Sequence, residues 1–127
     1  MRLSALVMPL AALLLPAAAP ARTATITIAL SNFKFTPSQV TLEHGQRYVL
    51  HLVNQAKGGH DLVAKAFFAA AKVDAADRAK MDRSGVDLEG GESVDIHLIA
   101  PPPGGYEMHC SHFMHSSFGM TGTIVVR

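Results

Sequence analysis

Apolar and polar positions alternate with period two along most of the chain, the pattern of strands with one buried face. "TATITIAL" sets Ile26, Ile28 and Leu30 against Thr25 and Thr27. "VTLEHGQRYVLHLVN" predicts a short strand to Leu42, a turn at His44–Gly45, and a second strand that points Tyr48, Leu50 and Leu52 inward. In "ESVDIHLI", Val94, Ile96 and Leu98 oppose Ser93, Asp95 and His97, and in "GGYEMHC", Tyr106, Met108 and Cys110 oppose Glu107 and His109. "TGTIVV" predicts a closing strand, and Gly58–Gly59, Gly90–Gly91 and "PPPGG" punctuate the runs.

One stretch departs from this rhythm. "VAKAFFAAAKVDAADRAKMD", residues 63–82, is rich in alanine with apolar residues at helical spacing, which predicts one or two short helices in a long connection. Together the patterns predict an all-β, Greek-key β-sandwich of about seven or eight strands with a short helical insertion.

The first residues follow another plan. Arg2 is followed by an uncharged, largely apolar run from Leu3 to Ala21 that ends in Ala19-Pro20-Ala21, the layout of a secretory signal. Residues 1–21 are therefore expected to be a signal peptide cleaved before Arg22, and 22–127 one compact domain in the periplasm. The alternative, an uncleaved anchor, is weakened by Pro9, Pro16 and Pro20, and no membrane span is expected after cleavage.

Of the 11 Lys and Arg residues only Arg2 lies in that leader, so the rest balance the 10 Asp and Glu residues. With no basic run and no aromatic residues interleaved with basic ones, nucleic acid is not an expected partner. Exported proteins usually pair their cysteines, yet Cys110 is the only one and cannot form an internal disulfide.

Strand alternation points Cys110 inward at a strand end, entering a loop that also holds His112, Met114, His115 and Met120. A buried thiolate is costly unless a cation compensates it. The imidazole nitrogens and soft sulfurs nearby favour copper or zinc over magnesium or calcium. Outside the loop, His51 and His97 alternate with core positions and so face solvent, and His44 sits in a turn. His60 differs, because "GGHDLV" places it after a glycine pair where the backbone can approach another loop closely.

The spacing of Cys110, His115 and Met120, followed by "TGTIVV", resembles the copper loop of the cupredoxins, the small blue copper proteins of the plastocyanin, azurin and auracyanin kind. "GGHD" is similar to the segment that carries their first histidine ligand, and "NFKFTPSQVTLEHGQ" to their N-terminal strands; the resemblance spans residues 24–127. It implies one type 1 copper ion bound by His60, Cys110 and His115, with Met120 as the long axial thioether. His112 is a rival ligand, but the family's spacing favours His115. Where the family usually has asparagine after the first histidine this chain has Asp61, expected to accept hydrogen bonds from Ser111 and to favour the oxidised metal.

The resemblance further implies a monomeric, non-enzymatic, one-electron carrier whose redox partner docks near His115, where Phe113 and Phe118 expose apolar surface. A carrier that binds Cu(I) for delivery or tolerance is the alternative, motivated by the surplus of His and Met. A cysteine enzyme using Cys110 with His112 or His115 as base is a third class, but no substrate cleft or oxyanion feature is legible for it.

Overall fold

The computed structural model describes residues 11–17, 22–82 and 84–127. Most of the expected signal peptide lies outside the described residues, and 11–17 are exposed without regular secondary structure. Among the described residues no helix is long and apolar enough to cross a membrane.

Two five-stranded sheets face each other. The first contains β1 (Ala24–Ser31), β2 (Lys34–Thr36), β4 (Arg47–Asn54), β6 (Lys72–Val73) and β8 (Ser93–Ile99), in the order β2-β1-β4-β8-β6. The second contains β3 (Gln39–Leu42), β5 (His60–Val63), β7 (Gly85–Leu88), β9 (Gly104–His109) and β10 (Thr121–Val126), in the order β3-β10-β9-β5-β7. The pairs β1–β4 and β3–β10 are parallel and all the others antiparallel, so the chain crosses repeatedly between layers.

The all-β sandwich agrees with the alternation, but among the described residues ten strands replace the expected seven or eight. The extra ones are too short to show a period: β2 has three residues and β6 two. β7 begins at Gly85, where a Cβ would overlap the Leu62 carbonyl, so the absence of a side chain lets β7 close on β5. The predicted turn before β4 is present, with Gly45 at φ +77°, the left-handed region that glycine enters without strain.

Ile28, Leu30, Leu50, Leu52, Ile96 and Leu98 from the first sheet meet Leu62, Leu88, Met108 and Ile124 from the second, all essentially without solvent exposure. Each fully buried Leu or Ile side chain contributes about 1.5–3 kcal/mol relative to exposure. This rigid layer pair positions the loops at its ends.

The insertion folds as α1 (Lys65–Ala70), β6 and α2 (Ala75–Arg78). Helices of six and four residues do not persist alone, so tertiary contacts hold them. Phe67 and Phe68 are both fully buried, and Phe67 packs edge-on against Tyr106 at 5.7 Å. Asp77 on α2, 4% exposed, accepts from Lys80 Nζ at 2.7 Å and from the His97 backbone N–H at 2.8 Å, and lies 2.8 Å from His97 Nδ1. Burial opposes its ionisation, but the hydrogen bonds from Lys80 and His97 outweigh it and bring its pKa down to about 2.

Candidate metal centre

Three segments distant in sequence meet at one end of the sandwich: the start of β5, the loop from Cys110 to Met120, and the β1–β2 turn at Asn32–Phe33. The single pairing of β5 with β9, Val63 opposite His109, sets their register. Running both chains on from it brings Asp61 against Ser111, and the contacts show this. The Ser111 backbone N–H donates to Asp61 Oδ1 at 2.6 Å and the Ser111 hydroxyl donates to Asp61 Oδ2, as expected from the sequence.

The loop closes on itself. Cys110 N–H donates to the Met120 carbonyl and Met120 N–H to the His115 carbonyl, both at 3.1 Å. His115 N–H returns to the His112 carbonyl at 3.1 Å and Phe118 N–H to the Met114 carbonyl at 3.1 Å. The turn is tight enough to hold Met114 at φ 65°, a left-handed conformation that costs a non-glycine residue about 1 kcal/mol or more.

Cys110 Sγ lies 3.8 Å from His60 Nδ1 and 3.5 Å from His115 Nδ1, and the two Nδ1 atoms are 3.1 Å apart. A triangle of this size is what one transition-metal ion spans with bonds of about 2.0–2.3 Å to nitrogen and sulfur. Cys110, His60 and Met120 are fully buried and His115 is half-buried. Two imidazoles and a thiolate with a thioether on the same loop fit a type 1 copper site.

Burial disfavours the charged forms of both inner donors. Burial, then the neighbouring His115 and His112, push the His60 imidazole below its ordinary pKa, with Asp61 opposing. His60 is therefore neutral at pH 7 and keeps a lone pair for a metal. Burial pushes the Cys110 thiol up, and the backbone N–H groups of Asp61 and His112 directed at the sulfur do not cancel that rise. Asp61 N–H lies 3.5 Å from Sγ. A metal ion supplies the charge that makes the thiolate favourable.

His112 is placed elsewhere. Its Nε2 lies 3.0 Å from Asp87 Oδ1, and its ring stacks on His115 at 5.5 Å, outside the triangle of donor atoms. A Cβ on Gly59 would come within 3.1 Å of His112 Cε1, so the missing side chain at Gly59 leaves room for this ring. His51 pairs with Asp95 and His97 with Asp77, while His44 and His109 are exposed.

Asn32 and Phe33 did not emerge as site residues from the sequence. Asn32 Oδ1 lies 2.8 Å from His60 Nε2, and the Phe33 ring stands edge-on to His115 at 4.9 Å and tilted to Phe118 at 5.2 Å. The only local signal was an Asn-Phe pair between two alternating runs, which reads equally as an ordinary turn. The loop around His115 exposes large apolar side chains beside Ser116 and Ser117: Phe113 is 89% exposed, Phe118 61% and Met114 45%.

Among curated proteins none matches this sequence. Solved structures do. Reduced auracyanin from the photosynthetic bacterium Roseiflexus castenholzii is 23% identical at a TM-score of 0.61, with 81% of this chain and 96% of that one covered. Auracyanin A, a "blue" copper protein from Chloroflexus aurantiacus, is 21% identical at 0.61, covering 84% and 100%. A multi-copper oxidase from Pseudomonas thermotolerans is 20% identical at 0.62, covering 81% of this chain but 29% of the larger one. These likenesses establish the fold. Residues 3–126 match the family model of the cupredoxin-like domain, and the chain belongs to that family.

Proposed function

We propose that the protein is an exported type 1 copper protein that carries single electrons between redox partners, with His60, Cys110, His115 and Met120 as the metal ligands. The observation that carries this reading is the triangle of His60 Nδ1, His115 Nδ1 and Cys110 Sγ with edges of 3.1, 3.5 and 3.8 Å. Copper bound there supplies a one-electron couple whose two oxidation states prefer different geometries. The chain's contribution is to hold the donors still. Asp61 ties β5 to the ligand loop through Ser111, the loop is locked by its own backbone hydrogen bonds, and burial excludes water from three of the four donors.

His115 is the half-buried donor, and its loop exposes Phe113, Phe118 and Met114. We place the docking face for a redox partner there, since the imidazole edge gives electrons a short way out. The protein acts as a monomer in the periplasm after cleavage before Arg22, and mass spectrometry of the exported protein checks that cleavage. Full burial of Cys110 argues against a cysteine nucleophile, because a substrate has no route to the sulfur.

The second reading, delivery of Cu(I), is favoured by the exposed Met114 thioether and by His112 stacked beside His115. Repeated oxidation and reduction in the presence of a Cu(I) chelator separates the two. An electron carrier keeps its copper through many cycles. Rapid loss of copper in both oxidation states contradicts electron carriage and favours delivery.

A further inference from the structure

The His60 imidazole has two nitrogens with two fates. Nδ1 faces Cys110 and His115, whereas Nε2 lies 2.8 Å from Asn32 Oδ1 on the turn between β1 and β2, 28 residues earlier in the chain. An amide oxygen only accepts, so this contact requires the proton on Nε2 and leaves Nδ1 with its lone pair aimed at the other donors. The reverse tautomer would direct an N–H into the donor triangle and present a lone pair to a lone pair at Asn32.

The next residue reaches the other imidazole. Phe33 stands 4.9 Å from the His115 ring and 5.2 Å from Phe118, so one two-residue turn touches both histidines from outside the loop that carries Cys110. β1 is held in the first sheet by seven register pairs with β4, from Ala24↔Tyr48 to Leu30↔Asn54, and so presents the turn from a rigid support. His60 itself is fully buried, and a buried ring without that acceptor would leave an N–H unpaired.

We infer that the β1–β2 turn is a positioning element of the metal centre: Asn32 fixes the tautomer and orientation of His60, and Phe33 braces His115 and limits release of the metal. This rests on the reading of His60 and His115 as ligands, and it adds two residues from the N-terminal hairpin. It also assigns them separable tasks. Asn32 acts on the binding nitrogen through the far side of the ring; Phe33 acts on access and ring motion.

The test begins on the metal-free full protein, where long-range nitrogen–proton correlation NMR reads the tautomer of His60 directly. The wild type is expected to hold the Nε2–H form. Asn32→Ala is expected to mix the tautomers and, with copper loaded, to weaken retention against a chelator by about 10- to 100-fold. Asn32→Asp restores the acceptor, and with it the tautomer, while its negative charge lowers the reduction potential. Phe33→Ala leaves the tautomer unchanged and speeds copper loss.

A wild type in the Nδ1–H form, or Asn32→Ala and Asn32→Asp variants with wild-type tautomer, retention and potential, overturns the role of Asn32. Unchanged copper loss in Phe33→Ala overturns the role of Phe33. A wild type that binds no copper, while its His60 tautomer still responds to Asn32→Ala, refutes the ligand assignment and upholds the Asn32–His60 contact.

Discussion

Two buried polar clusters in this molecule are built in opposite ways. Around Asp77 the charge is answered from within the chain: Lys80 Nζ at 2.7 Å, the His97 backbone N–H at 2.8 Å and the His97 ring at 2.8 Å surround a carboxylate held at a pKa of about 2. Around Cys110 the donors answer one another poorly. Sγ is 3.5–3.8 Å from two imidazole nitrogens, and burial pushes its thiol up while it pushes His60 down. The first cluster is electrostatically complete and fastens α2 to β8. The second turns electron-pair donors from His60, Cys110 and His115 towards one point, which is the arrangement of a metal site rather than a structural network.

The contrast breaks first at the sulfur. Cys110→Ala is expected to abolish the thiolate charge-transfer band completely, read by visible absorption of the copper-loaded protein. Unfolding of its metal-free form in urea should shift by no more than about 1–2 kcal/mol, the cost of a small buried side chain. Asp77→Asn should do the reverse. It keeps the band and destabilises the fold by about 1–3 kcal/mol, because the buried hydrogen bonds from Lys80 and His97 lose their charged acceptor.

The sign of the acid response sharpens the same point. Asp77 has a folded pKa of about 2 against an ordinary value of 3.8, so ionisation favours the folded state. Its stabilisation is complete above about pH 4 and disappears as pH falls towards 2. The stability difference between wild type and Asp77→Asn, measured by urea unfolding at a series of pH values, should therefore shrink over that window. A difference that does not change with acid would mean that the carboxylate's charge contributes nothing.

An effect of similar size, on the metal rather than on the fold, is expected at Asp61, whose two oxygens both accept from Ser111. Asp61→Asn keeps one acceptor and removes a charge beside the donors, so the reduction potential should rise by the equivalent of about 1–3 kcal/mol. Voltammetry checks it, and a potential that stays or falls contradicts the electrostatic role. Smallest of all is His112→Ala, which breaks the partly exposed pair with Asp87 and should change stability by less than about 1 kcal/mol with the band retained.

The long strands were legible because β1, β4, β8 and β9 each bury one face, so side-chain alternation reports directly on packing. The helices of the insertion were legible from alanine content, but β6 between them was not, since two residues carry no period. Nothing in the helical pattern of residues 63–82 singled out Asp77, whose burial comes from docking on β8, a contact twenty residues away in sequence. His97 read as solvent-facing and is half-exposed, yet its ring and backbone hold that carboxylate. At the candidate metal centre the loop stood out by its gathering of sulfur and imidazole groups and His60 by its glycine neighbours, while the choice of His115 and Met120 within the loop came from the resemblance to the cupredoxins. Asn32 was silent because an asparagine in a turn has many uses, and only the fold brings it to His60.

The most direct measurement is the visible and electron paramagnetic resonance spectrum of the protein loaded with Cu(II), beside His115→Ala and His112→Ala. The account predicts an intense thiolate charge-transfer band with narrow copper hyperfine splitting, lost in His115→Ala and kept in His112→Ala. A colourless protein with ordinary copper parameters, or a band that vanishes with His112 and survives loss of His115, would contradict it.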